Sequence, residues 1–271
     1  MLPYLWLVPV GFLVGTYGTL IGAGGGFVLV PFLLLLYPTE NPELITSISL
    51  AVVFCNALSG SIAYARTGRI DYRSGLLFAL ATIPGAILGA LTTAYIPRRL
   101  FDGVLGVLML LGAGVLLWRP GTEPHTPTPA FRHGLVRTVI EADRTAHTFS
   151  YNPWLGVGLS AVVGYFSSLL GIGGGIIHVP ALVQLLHFPV HIATATSHFV
   201  LAIMALTGTL VHIATGTFHH GLRRTIALSV GVLFGAQLGA WLSQRVQGTW
   251  ILRGLALALG AVGIRLLLSL L

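Results

Sequence analysis

Lysine is absent from this chain, acidic residues number only 7, and charged residues of either sign make up 8% of its 271 positions. Soluble domains carry about 25% charged residues, so a water-soluble globular protein is excluded. A soluble catalytic domain is excluded as well, because apolar segments consume nearly all of the length. The single cysteine, Cys55, rules out an intramolecular disulfide, a CxxC pair and a cysteine-rich metal site. The amino-terminal stretch lacks a charged start and a small-residue cleavage site, so Leu2–Leu20 reads as a retained first span. The 14 basic residues, all arginine, give a formal charge of +7. They are scattered over short loops, which is the pattern of membrane topology signals and not of a nucleic-acid surface. Arg66, Arg69 and Arg73 argue for one loop as cytoplasmic, while Arg98 and Arg99 argue the same for the next. Arginine counting therefore selects neither orientation.

Hydrophobic residues make up 55% of the chain and glycine contributes 35 residues. The apolar segments run from about Pro3–Ile21, Phe27–Tyr37, Leu44–Ala65, Ser74–Tyr95 and Leu100–Trp118 to Trp154–Leu170, Ile176–His187, Ile192–Thr215, Thr225–Leu242 and Ile251–Leu271. That is five plus five, and the halves repeat one another. Gly22-Ala-Gly-Gly-Gly-Phe-Val-Leu-Val-Pro31 returns as Gly171-Ile-Gly-Gly-Gly-Ile-Ile-His-Val-Pro180, identical at six of ten positions. Ser59-Gly60-Ser61 answers Thr207-Gly208-Thr209, Thr67-Gly68 answers Thr215-Gly216, and Gly85–Ala90 answers Gly235–Ala240. An odd number of crossings per repeat would invert the second half relative to the first. A crossing helix needs about 20 residues, and Phe27–Tyr37 and Ile176–His187 fall short, so each is a half-span or a buried piece. The expected fold is an all-α polytopic membrane protein of two inverted five-segment repeats (1–118 and 153–271), with short helices at the glycine motifs.

Glycine inside a helix costs about 1 kcal/mol relative to alanine, so such clusters mark designed breaks. A break frees successive N–H groups, and the helix that follows places partial positive charge at its first turn. Gly24, Gly25 and Gly26, with Gly173, Gly174 and Gly175, thus offer convergent donors at membrane depth, suited to a small anion. Close helix packing is the alternative use of such glycines, and it accounts well for Gly85–Gly89 and Gly235–Gly239. A phosphate-binding loop is rejected, because neither copy ends in Lys-Ser/Thr.

The helix after each short segment opens with hydroxyls. Thr46 and Ser49 correspond to Thr194 and Ser197, and residues three apart share a helix face. Each pair could face one cavity and donate to an oxyanion, or simply bond back to its own helix. Asn56 is a weaker candidate on a neighbouring face. Of the intramembrane histidines His178, His198 and His212, only His198 adjoins a candidate ligand, Ser197. It could couple a proton or bind the anion, or be a structural histidine. His187 and His191 have helical metal spacing, but Pro189 separates them, so no metal and no cofactor are expected. Asp102 and Arg253 occupy corresponding places in the two repeats, where a structural ion pair or snorkelling is expected. The one long polar segment, 119–152, begins proline-rich. Its portion Phe131–His147 carries apolar residues compatible with an interfacial helix or with a small hairpin.

Taken together, the duplicated glycine motifs and the Thr46/Ser49 and Thr194/Ser197 helix starts resemble the TauE/SafE family of sulfite and organosulfonate exporters. These are multi-pass proteins of the prokaryotic cytoplasmic membrane. The resemblance implies a secondary transporter that exports a small sulfur-containing anion such as sulfite, sulfoacetate, thiosulfate or a related sulfonate. The substrate would lie between the two glycine motifs, coupled to a proton or other ion, with alternating access by rocking of one repeat against the other. The lipid bilayer is the expected partner, and a homodimer is compatible with the sequence. An anion channel, or a carrier of a different small anion, would use the same glycine breaks.

Overall fold

The computed structural model describes residues 4–118, 134–246 and 248–268. The first half contains α1 (Leu7–Ile21), α2 (Gly26–Leu36), α3 (Pro42–Thr67), α4 (Tyr72–Thr93) and α5 (Arg98–Trp118). Two strands, β1 (Leu135–Ile140) and β2 (Ala146–Tyr151), precede the second half. That half comprises α6 (Pro153–Leu170), α7 (Gly175–Gln184), α8 (Val190–Ala214), α9 (Leu222–Ser243) and α10 (Gly248–Leu268), with a 3-10 turn at Thr217–Gly221. Among the described residues, five helices are long and apolar enough to cross a membrane: α3, α4, α6, α8 and the Thr217–Ser243 stretch that includes α9.

Local signals set the boundaries. Asp71 accepts from the Ser74 amide (3.3 Å) at the start of α4, and Asn152 accepts from the Trp154 amide (3.0 Å) ahead of Pro153 in α6. α1, α3 and α6 each stop at a left-handed glycine: Gly22, Gly68 and Gly171. α3 and α8 begin at Pro42 and Val190, about a turn before the hydroxyls that the sequence placed at their starts. A favoured proline at the first position of α3, and Pro189 capping α8, account for the shift.

Packing crosses the repeat boundary. The backbone of α1 lies against Gly231, Gly235 and Gly239 of α9, which meet Val8, Phe12 and Thr16 in rising order, so the two helices run parallel. Gly85 and Gly89 of α4 meet Ala161 and Tyr165 of α6 in the same way. These two pairs exchange when the repeats exchange. Small residues let the backbones approach where lipid supplies no hydrophobic drive. α3 and α8 pack together at the centre and run antiparallel. At one end the Thr217 hydroxyl donates to Glu43 (2.6 Å), and at the other the Asp71 amide donates to Thr196 Oγ1 (3.0 Å). α5 and α10 pair antiparallel outside this centre, with Gly106 beside Leu266 and Leu267, and Gly112 beside Leu259. Asp102 and Arg253 are thereby kept apart. Asp102 pairs with Arg98 one turn away (3.6 Å), and Arg253 stacks over Trp250.

Between the repeats, residues 135–151 form an antiparallel hairpin with Leu135 opposite Tyr151 and Ile140 opposite Ala146. The interfacial-helix alternative does not form there. Val136, Thr138, Val139 and Ile140 favour extended backbone, and a turn is stabilised by the Thr145 amide donating to Asp143 Oδ1 (2.9 Å). That bond holds the Asp143 carboxyl below its ordinary range. Residues 119–133 lie outside the described residues. The hairpin is bonded to the α3–α4 corner: the Ala142 amide donates to Thr67 O (3.0 Å), and Glu141 binds both Arg69 (2.7 Å) and His147 (3.0 Å). Tyr151 Oη and Ser74 Oγ share a hydrogen bond (2.6 Å), Ser74 Oγ also donates to Asp71, and Phe149 packs on Phe188 with ring centroids 4.3 Å apart. Replacing Glu141 by Gln strands a mostly buried guanidinium without its carboxylate. The expected cost is about 2–3 kcal/mol after allowing for partial solvation, read as a lower midpoint of thermal unfolding in detergent. An unchanged midpoint would show that the hairpin is not anchored by this carboxylate.

Candidate functional site

Each broken helix turns through glycine because the chain needs left-handed backbone there. Gly22, Gly24 and Gly25 have φ of 79°, 77° and 81°, and Gly171, Gly173 and Gly174 have φ of 66°, 78° and 49°. α2 then starts at Gly26 and α7 at Gly175, so each helix presents its positive end immediately after the turn. The two turns are fully buried and touch one another. A Cβ on Gly26 would stand 2.6 Å from Gly171 O, and one on Gly175 would fall 2.5 Å from Ala23 Cα. Both turns also rest on Val53 and Leu201, near the middle of α3 and α8. The structure therefore brings Gly24–Gly26 and Gly173–Gly175 together, at the depth where the two central helices cross.

The Thr-x-x-Ser pairs meet the glycine turn of the opposite repeat. Thr46 lies behind Gly171, where a Cβ would stand 3.0 Å from Thr46 Cα, and Ser49 Oγ donates to Gly171 O at 2.6 Å. Thr194 lies behind Gly22 in the same way, and Ser197 Oγ donates to Gly22 O at 3.5 Å. In this conformation both serine protons are engaged by carbonyls and Thr194 bonds back to Val190 O (2.8 Å). Thr46 Oγ1 alone of the four hydroxyls has no partner among the described residues. The hydroxyl pairs thus clasp the breaks instead of standing open around a cavity, because the loop carbonyls exposed by the left-handed turn require donors.

His198 belongs to a connected polar chain. Its Nε2 lies 3.2 Å from Thr19 Oγ1, Thr19 Oγ1 donates to Asn56 Oδ1 (3.1 Å), and Asn56 Nδ2 donates to Gly24 O (3.1 Å). A hydroxyl has one proton to give, so this arrangement assigns the Nε2–H tautomer to His198. Tyr64 packs edge-on against the imidazole (5.8 Å) and donates to Thr19 O (2.7 Å). All four side chains are buried. Thr19 and Tyr64 escape sequence inspection, since nothing in their own segments distinguishes them from other hydroxyls of membrane helices. Asn56 carries a visible signal, a carboxamide in the middle of an apolar run. His178 is a structural histidine that meets Ser160 Oγ at 3.2 Å and stacks edge-on with Phe78.

A second role hidden from the sequence is that of Arg98, which reads there as a topology signal. Its guanidinium donates to Leu34 O (2.5 Å), Pro38 O (2.8 Å), Glu40 O (3.0 Å) and Tyr37 O (3.3 Å). These are the last carbonyls of α2 and of the loop that follows, so a fixed cation complements the negative end of the short helix. The shorter bond of Ser49 compared with Ser197 gives a stability prediction. Ser49→Ala should cost about 1 kcal/mol and Ser197→Ala a few tenths, seen as unequal falls in the thermal midpoint of the purified protein. Equal falls would mean that the two clasps are equivalent.

No solved structure matches the chain. A probable membrane transporter protein, YunE of Bacillus subtilis (strain 168), is 32% identical over 270 residues, covering 97% of each chain. A probable membrane transporter protein of Xylella fastidiosa (strain 9a5c) is 30% identical over 238 residues, 87% of this chain and 83% of that one. Another from Methanocaldococcus jannaschii is 22% identical over 274 residues, with 97% and 94% covered. The family described as Sulfite exporter TauE/SafE matches residues 7–266. With its paired glycine breaks buried between antiparallel central helices, the chain is a multi-pass membrane transporter and belongs to the sulfite exporter TauE/SafE family.

Proposed function

We propose that this transporter is a secondary carrier that exports a small sulfur-containing anion, of the sulfite, thiosulfate or organosulfonate class, by alternating access. The observation that carries the reading is the junction of the two glycine turns, where the positive ends of α2 and α7 begin within van der Waals reach of each other's loops. Such ends stabilise an anion without a fixed charge that would trap it. The substrate would sit between Gly24–Gly26 and Gly173–Gly175, with Thr46, Ser49, Thr194 and Ser197 supplying hydroxyls as the clasps open. Inverted repeats are supported by the antiparallel course of α3 and α8 and by the exchanged pairs α1–α9 and α4–α6. A negative-inside potential favours anion export by about 2.3 kcal/mol per charge per 100 mV. In this reading His198 carries a coupling proton, a role supported by hydrogen bonds that run through Thr19 and Asn56 to the Gly24 carbonyl.

The packing changes which bodies would move. Because α1 is seated by backbone contact on α9, and α6 on α4, rocking of residues 1–118 against 153–271 would tear both seams. The moving units in this reading are mixed: α1 with α9 on one side, α4 with α6 on the other.

Proteoliposomes loaded with radiolabelled sulfite, thiosulfate or a short sulfonate test the reading. Saturable flux with counterflow of at least one of these anions is expected. Flux that does not saturate would identify a channel, and no flux from folded protein would end the proposal. Replacing Asn56 by Leu removes both its bond from Thr19 and its bond to the Gly24 carbonyl, cutting the link between imidazole and glycine turn, and should lower flux at least about tenfold. His198→Gln should separate flux from an imposed proton gradient, and a variant still driven by that gradient would remove the histidine from coupling.

A further inference from the structure

Resting on the carrier reading above, a second polar cluster extends the pathway beyond the glycine junction. The pseudosymmetry pairs Tyr64 with His212, Thr19 with Ser168, and His198 with Leu50. In the first set the hydroxyls of Tyr64 and Thr19 and Nε2 of His198 are hydrogen-bonded. In the second set the polar atoms are stranded. His212 and Ser168 are both fully buried, and neither ring nitrogen of His212 nor Ser168 Oγ has a partner among the described residues. Thr46 Oγ1, equally buried, is in the same condition.

These groups converge on one place. A Cβ on Gly208 would stand 3.0 Å from Ser168 Oγ and 2.8 Å from Leu50 Cδ1. His212 is one turn beyond Gly208 on the same face of α8, and Thr46 is one turn before Leu50 on the facing side of α3. Glu43, one turn further out on α3, interacts electrostatically with His212 and accepts from the Thr217 hydroxyl. The cluster thus lies between the glycine junction and the end of the molecule where α3 begins and α8 ends. Burying an imidazole and two hydroxyls without bonding partners is costly, on the order of 1–3 kcal/mol per group, and such groups call for a guest that bonds them.

We propose that Ser168, His212 and Thr46 form a second binding station, which takes a small oxyanion or its protonated form between the glycine junction and that face. The two hydroxyls donate to anion oxygens. The imidazole donates through one nitrogen and can accept from a protonated oxygen through the other, which suits a species that exchanges a proton. The Glu43 carboxylate disfavours a lingering anion, so the station passes its guest on.

The test is anion-dependent thermal stabilisation of the full-length purified protein with sulfite, thiosulfate, methanesulfonate, phosphate and chloride. Wild type, His212→Gln and Ser168→Ala are compared, the last because it removes one oxygen and leaves the helix intact. Half-saturating concentrations raised about tenfold in both variants are expected. Stabilisation of wild type that both variants retain within twofold overturns the station alone and leaves the carrier reading standing. Stabilisation by none of the five anions overturns the carrier reading and the station together.

Discussion

Backbone polar groups beyond the reach of water must be bonded within the protein, and this constraint organises the whole centre of the molecule. Two helices are interrupted at depth, and each interruption exposes carbonyls that a continuous helix would have satisfied. The remedies are all local and all visible. Ser49 and Ser197 reach across to Gly171 O and Gly22 O, Asn56 reaches Gly24 O, and Arg98 gathers the carbonyls at the far end of α2. The breaks are tolerated because other helices supply the donors, Ser49 and Ser197 from the opposite repeat and Asn56 and Arg98 from the same one. That dependence forces the two turns into contact, and the contact in turn sets where two positive helix ends meet.

Much of this was legible before the structure. The duplicated glycines, the two short helices and the matched hydroxyl pairs follow from composition and period, because glycine clusters have few uses inside apolar sequence. The direction in which the hydroxyls face was not legible. A Thr-x-x-Ser spacing fixes a shared helix face, but not what lies opposite it, and here it is a carbonyl of the other repeat. The pairing of α1 with α9 was also hidden, since glycines at helical spacing announce a close neighbour without naming it. The 135–151 segment carried apolar residues compatible with helix or strand, and β-branched side chains with the Asp143 turn decided for strands. Arg98 looked like one more loop arginine because its four acceptors come from a segment about 60 residues earlier.

The two halves share a plan and differ in chemistry. Where the first set of equivalent positions builds a connected chain of hydrogen bonds from His198 Nε2, the second leaves His212 and Ser168 without partners among the described residues. Duplication supplies symmetric geometry, and the side chains at equivalent positions then diverge within it.

The seating of α1 on α9 has a further implication for how the chain is made. During synthesis the first helix enters the bilayer long before residues 222–243 exist, so its glycine-matched groove has nothing to fill it. The intervening helices must be inserted while this surface is held open, and closure of the seam comes only near the end of translation. Sequence-distant pairing of this kind slows assembly. For this protein α9 acts as the fastener, and a chain truncated before it would leave the first helix held by α3 and its own glycine turn.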